Sequence, residues 1–143
     1  MTLKLDWFGF AEGAVNDTRG IMTLVGFAPQ FLRYKTFPAV SSLALVVLIE
    51  DDENPEPILT EGKQFTLALT LKAPDGKVIL ANQPALTVGE KKDVGDLPGR
   101  LNLVLQMPMT FSKPGQYTAS ITLQVEGSEE MVQADRVISI LEE

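Results

Sequence analysis

The chain contains no cysteine and no histidine in 143 residues. Those two absences remove disulfides, thiolate zinc sites, imidazole-ligated metals and any nucleophile that relies on Cys or on a Ser–His couple. Basic charge is also scarce: 12 Lys and Arg stand against 19 Asp and Glu, a net charge of −7. The densest basic cluster is the "EKKD" of residues 90–93, so phosphate backbones are repelled and nucleic acid is not an expected partner. Long apolar runs are missing too. The longest uncharged stretch, Phe37 to Ile49, contains a proline and two serines and is too short to span a bilayer. The opening "MTLKLDWFGFAEG" is interrupted by Asp6 and Glu12 and lacks the charged-then-apolar layout of a secretory signal. No G-x-G-x-x-G, G-x-S-x-G or phosphate loop occurs. These exclusions predict a soluble cytoplasmic protein, not an enzyme, with no cofactor.

Hydrophobic residues make up 45% and charged residues 22%, ordinary globular usage, and the length suits a single domain over residues 1–143 with a full core. The apolar pattern has period two nearly throughout. In "KQFTLALTLKA", Phe65, Leu67, Leu69 and Leu71 share one side while Gln64, Thr66, Thr70 and Lys72 share the other, the signature of a strand with one wet face. "GQYTASITLQVEG" repeats it with Tyr117, Ala119, Ile121, Leu123 and Val125. In "SLALVVLIE" both parities are apolar, which predicts a central strand covered on both faces. Weaker alternation marks strands near 3–12, 20–27, 77–88, 101–107 and 130–141.

Turn chemistry separates them: "PDG" at 74–76, "EGSE" at 126–129, "NDTRG" at 16–20 and "KKDVGDLPG" at 91–99. A helical turn has room only in "APQFLRYK" and "PMTFSKPG". The pattern predicts an all-β antiparallel sandwich, immunoglobulin-like or jelly-roll, of about eight strands.

Candidate sites are few. "LIEDDENPEP", residues 48–57, gathers five carboxylates directly after the central strand. A calcium loop needs glycine at its sixth position and glutamate at its twelfth. Counting from Asp52 gives Pro57 and Lys63, and from Asp51 gives Glu56 and Gly62, so Asp51, Asp52 and Glu53 are read as a solvated loop without metal. Paired-carboxylate hydrolysis would need two acids across a cleft, which spacing does not reveal; Asp6, Glu12, Glu50 and Asp135 read as surface charge. "PQFLRYKTFP", residues 29–38, sets aromatics beside Arg33 and Lys35, residue types favoured at binding hot spots. Phe31, Arg33, Tyr34 and Lys35 are the candidate binding residues. The competing structural reading has Phe31, Leu32 and Phe37 capping one end of the sandwich with Arg33, Tyr34 and Lys35 on its rim. Trp7 shares the parity of Leu3 and Leu5 and is expected in the core. Arg136 interrupts an apolar face of the last strand, where it would pair at a sheet edge or oppose edge-to-edge association.

Three stretches carry a family resemblance. "FAEGAVNDTRGIMTLVGFAPQFLRYKTFPAV" has an acidic strand and loop, a strand ending at Gly26, and the Phe37-Pro38 pair before the central strand. "GKQFTLALTLKAPDGKVI" is an edge strand with an Asp-Gly hairpin, and "FSKPGQYTASITLQVEGSE" opens a strand with Gly-x-Tyr and closes it on a Gly-centred turn. In this order they resemble a family of small bacterial β-sandwich proteins of unknown function, the DUF6941 type. The chain departs from it by a longer acidic loop and by having no histidine near Lys63. The resemblance implies a cytosolic sandwich and brings no catalytic residues.

The functional expectation is an interaction module that binds a protein partner or self-associates. A small-ligand or carbohydrate module using Trp7 or Tyr34 as a stacking platform is the alternative, and a carboxylate-dependent hydrolase a more distant one.

Overall fold

A computed structural model describes residues 3–16, 21–28, 31–50, 62–87, 100–127, 129 and 131–143. The acidic loop of Asp51, Asp52 and Glu53 lies outside them, as do residues 17–20 and 91–99.

The described residues form ten strands: β1 Lys4–Asn16, β2 Met22–Ala28, β3 Phe31–Tyr34, β4 Ala39–Glu50, β5 Gln64–Lys72, β6 Val78–Asn82, β7 Ala85–Thr87, β8 Arg100–Phe111, β9 Gly115–Val125 and β10 Met131–Glu142. They make two sheets. One has the order β2-β1-β4-β8, and the other β3-β10-β9-β5-β6 with β7 also pairing β5. All pairings are antiparallel except β3 with β10, which is parallel.

The expected alternation decides which faces meet. Phe65, Leu67, Leu69 and Leu71 of β5 and Tyr117, Ala119, Ile121, Leu123 and Val125 of β9 are buried in one cluster with Leu43, Leu45, Val47 and Ile49 of β4. Each sheet therefore contributes one apolar face to a shared core, the sheet-on-sheet solution of a sandwich. The "PDG" turn joins β5 to β6: the Lys77 N–H donates to Asp75 Oδ1 at 3.0 Å, and Gly76 has φ +85°, a conformation open to glycine. That backbone N–H, with Lys113 and Lys77 nearby, holds the exposed Asp75 carboxyl below the usual carboxylate range.

Three expectations need correction. The segment 77–88 is two strands, not one, because Gln83 and Pro84 separate β6 from β7; the Pro84 carbonyl still accepts from Leu67 N–H at 3.1 Å, while the proline has no N–H to continue a ladder. "APQFLRYK" holds strand β3 where a helical turn had room. "PMTFSKPG" likewise finishes β8 and turns into β9.

Trp7 is the third. The β1–β4 register steps from Leu5↔Ile49 to Trp7↔Leu48, a bulge at Asp6. An extra residue inverts the period-two alternation beyond it. Leu3 and Leu5 face the core before the bulge, Phe8 and Phe10 after it, so Trp7 takes the parity of Gly9 and Ala11 on the outer face. Its indole covers Gly9, where a Cβ would fall 2.5 Å and 2.6 Å from Trp7 Cζ2 and Cη2, and it meets the Phe27 ring at 5.4 Å.

That outer face explains why β4 is buried on both sides. Ala44 and Val46 are 0% and 1% exposed without belonging to the central core. Gln106 reaches from β8 across β4, donating from Nε2 to Ser42 Oγ at 2.9 Å and to the Glu12 carbonyl at 3.5 Å. Since Ala44 pairs with both Gln106 and Ala11, the amide crosses above its methyl. Side chains lying flat over small residues supply the cover that a third layer gives in other folds.

Two substitutions test this account. Tyr117 is fully buried and its hydroxyl donates to the Lys113 carbonyl at 2.7 Å; Tyr117→Phe should cost about 1–2 kcal/mol in urea unfolding by leaving that carbonyl unpaired, and an unchanged midpoint would refute the anchor. Gly9→Ala should lift the only tryptophan, red-shifting its emission and removing roughly 1 kcal/mol of stability; an unmoved spectrum would show that the indole does not rest on this glycine.

Candidate functional site

β3 is four residues long, too short to pack on its own, and is held from both sides. Its backbone runs parallel to the end of β10, with Phe31 opposite Ser139 and Tyr34 opposite Glu142, and the Glu143 N–H donates to the Tyr34 carbonyl at 3.0 Å. Its inward side chains enter the core. Leu32 and Tyr34 are half-buried against it, and the Tyr34 ring lies 5.8 Å from Phe111 and 6.4 Å from Phe37. Phe111 in turn meets Tyr117 edge-on at 5.1 Å, so an unbroken aromatic series runs from Phe37 to the Lys113 turn.

Alternation then sends Phe31 and Arg33 to the opposite face. Phe31 is 48% exposed, and the Arg33 guanidinium carbon sits 5.4 Å from its ring centroid, within cation–π range. Lys35 follows, exposed. The structure thus gathers Phe31, Arg33 and Lys35 on the surface and withdraws Tyr34, whose role is to fasten the strand. The rim-and-cap reading is rearranged in the same way: Leu32, Tyr34 and Phe37 cap the core, while Phe31 joins the rim. An open groove of about 620 Å³ adjoins, lined by Arg33 with Pro114, Gln116, Ser139, Leu141 and Glu142 among others.

The other candidates separate. Arg136 lies on β10 ahead of the Ser139–Glu142 stretch that β3 covers, so among the described residues the strand pairs there with β9 alone, at a sheet edge as expected. It sits half-buried on the core-facing side of β10, its guanidinium carbon 5.5 Å from the ring centroids of both Trp7 and Phe8, and its buried Nε has no hydrogen-bond partner. It ties the two sheets together through aromatic faces. Asp135 belongs to β10, whereas Asp6, Glu12 and Glu50 belong to strands of the other sheet, so the structure does not collect the four carboxylates at one place. Among the described residues no group of three or more acidic side chains is placed to hold a metal ion. Trp7 and Tyr34, the two rings considered for ligand stacking, both have protein rings as neighbours.

What sequence reasoning missed here is the pairing of β3 with β10, more than a hundred residues apart in the chain. Four residues carry too little periodicity to announce a strand, and the one available signal was the exposed–inward alternation of Phe31 to Tyr34 itself.

Among the described residues no helix is long and apolar enough to cross a membrane. No curated protein matches the chain. Among solved structures, the chain is similar to "Crystal structure of putative beta-galactosidase from bacteroides fragilis", at 9% identity and a TM-score of 0.44 over 71% of this chain. The match spans 14% of that larger protein. The model of the family of unknown function DUF6941 matches residues 6–132, which takes in the bulged first strand, the β3 segment, the Asp-Gly hairpin and the Gly-x-Tyr strand; the chain belongs to the DUF6941 family.

Proposed function

We propose that this protein is a non-enzymatic interaction module that recognises a protein partner at the β3 edge, with Phe31 and Arg33 as its anchors and Lys35 beside them. The observation that carries the proposal is the exposed Phe31 ring with the Arg33 guanidinium over it, on a strand fastened by Tyr34. An aromatic ring and an arginine on a rigid support lose little conformational freedom on binding, which is why such pairs dominate interface energetics.

Chemistry by nucleophile or metal has little support: the chain has no histidine or cysteine, and the groove beside β3 is open, not a closed water-excluding cleft. The two cationic side chains stand out on a chain of net charge −7, which favours a partner with acidic residues at the contact.

The test is a partner isolated with the wild-type chain and titrated against Phe31→Ala and Arg33→Ala. Each should weaken binding by about 2 kcal/mol, roughly thirtyfold in Kd, with thermal melting unchanged because both side chains are on the surface. Equal affinity for all three forms would remove the β3 edge from the interface. Tyr34→Ala is not a surface probe, since it opens the core.

A further inference from the structure

Among the described residues, β8 is a long edge strand whose features against pairing, Arg100 at its start and Pro108 near its end, leave the stretch between them open. Among the described residues it bonds only to β4, at the margin of the four-stranded sheet. Natural edges are blunted by charge, shortness, bulges or proline. The other edges use these devices: β3 has four residues and Arg33, β6 and β7 have five and three, β2 carries Gly26 at φ +60°, and the stretch of β10 that β3 leaves uncovered carries Asp135 and Arg136. β8 has twelve residues, in unbroken register with β4 from Ala39↔Phe111 to Glu50↔Arg100. From Leu101 to Ser112 it has no charged residue, in a chain that is 22% charged.

After Arg100, its one guard is Pro108. A proline in a sheet belongs where its missing N–H would point away from the neighbouring strand. Because the β4–β8 register contains no bulge, Asn102, Val104 and Gln106 share that outward direction and offer N–H and C=O groups to the open side. The proline ends the pairable stretch, leaving Leu101 to Met107. That half is also the incompletely covered one: Leu101, Leu103 and Leu105 are only half-buried against the core, whereas Met107, Met109 and Phe111 beyond them are buried.

We propose that the Leu101–Met107 edge pairs antiparallel with the same edge of a second copy, about a two-fold axis at Val104, joining two four-stranded sheets into one of eight strands. The sequence is self-complementary in this register. Leu103 meets Leu105 and Leu101 meets Met107 on the core side, Val104 meets its own copy on the outer side, and Asn102 stands opposite Gln106, whose side-chain amide stays bonded across β4. The outward-bonding residues pair with one another throughout, as an antiparallel ladder requires, and apolar cross-strand pairs reinforce it. A two-fold contact of this kind uses one patch twice and closes on itself. A chain of net charge −7 repels its copy elsewhere, which favours contact at the uncharged edge. This pairing is independent of partner recognition at β3.

The test is sedimentation equilibrium of the full chain over a concentration series. The wild type should pass from 15.6 kDa to twice that mass. Val104→Lys and Val104→Glu should each stay monomeric, with dimer dissociation constants raised at least tenfold, because like charges then meet on the axis. An equimolar mixture of the two should recover the dimer. A wild type that remains monomeric at every concentration overturns the proposal, and so does dimerisation of either variant as tightly as the wild type or a mixture of folded variants that stays monomeric. If a variant does not fold, hydrogen exchange of the wild type decides. The amides of Asn102, Val104 and Gln106 should slow at least tenfold as concentration rises, and rates independent of concentration overturn it.

Discussion

Everything in this molecule hangs on the burial of one apolar face from each sheet against the other. Leu43, Leu45, Val47 and Ile49 of β4, on one side, share a core with Leu67, Leu69, Ile121 and Leu123 of β5 and β9 on the other. No helix occurs among the described residues, so the outer faces must be made compatible with water by the strands themselves. The two sheets solve this differently. The outer face of β9 and β5 is lined by Thr66, Thr70, Thr118, Ser120 and Thr122, which water can solvate. The outer face of β4 is apolar and is sheltered by the Trp7 indole over Gly9 and the Gln106 amide across Ala44. Gly9, Ala11 and Ala44 are small there because larger side chains lie on top of them.

A core of this kind also sets where function can reside. Sheet interiors are filled, faces are flat, and what remains for recognition is the edges and the ends. β3 and β8 are two different kinds of edge. β3 is short, cationic and aromatic, fastened through Tyr34 into the rings of Phe111 and Phe37; it resists a casual strand and presents specific side chains. β8 is long, regular and without charge after Arg100, and what it presents is backbone. Arg136 belongs to neither. Its guanidinium lies within reach of both the Trp7 and Phe8 rings, where it fastens β10 to β1 and takes the outward-turned tryptophan into the same assembly.

Much of this was legible in advance because β-structure writes itself with period two. β5 and β9 alternate so regularly that their buried residues could be named from the sequence, and the doubly apolar β4 announced a position with neighbours on both sides. The Phe37-Pro38 pair, the Asp-Gly hairpin and the Gly-x-Tyr strand carried a resemblance to the DUF6941 family, and the family model over residues 6–132 shows the membership. Trp7 was misplaced for a specific reason: a bulge at Asp6 inverts the parity, and nothing in Leu-Asp-Trp marks which residue is the extra one. β3 was missed because four residues hold too little pattern, and its partner is β10, at the far end of the chain. Of the four candidate binding residues, alternation keeps Phe31 and Arg33 together and removes Tyr34.

The sequence by itself determined the all-β class, the residues of the central core and the chemistry that is absent, because side-chain alternation and composition are local properties. Only the tertiary structure decided which strands are edges, which face Trp7 and Tyr34 occupy, and that, among the described residues, β8 lies at the margin of its sheet. Those depend on pairings between segments distant in the chain, whose free energy arises when the strands meet and is not encoded in any one of them.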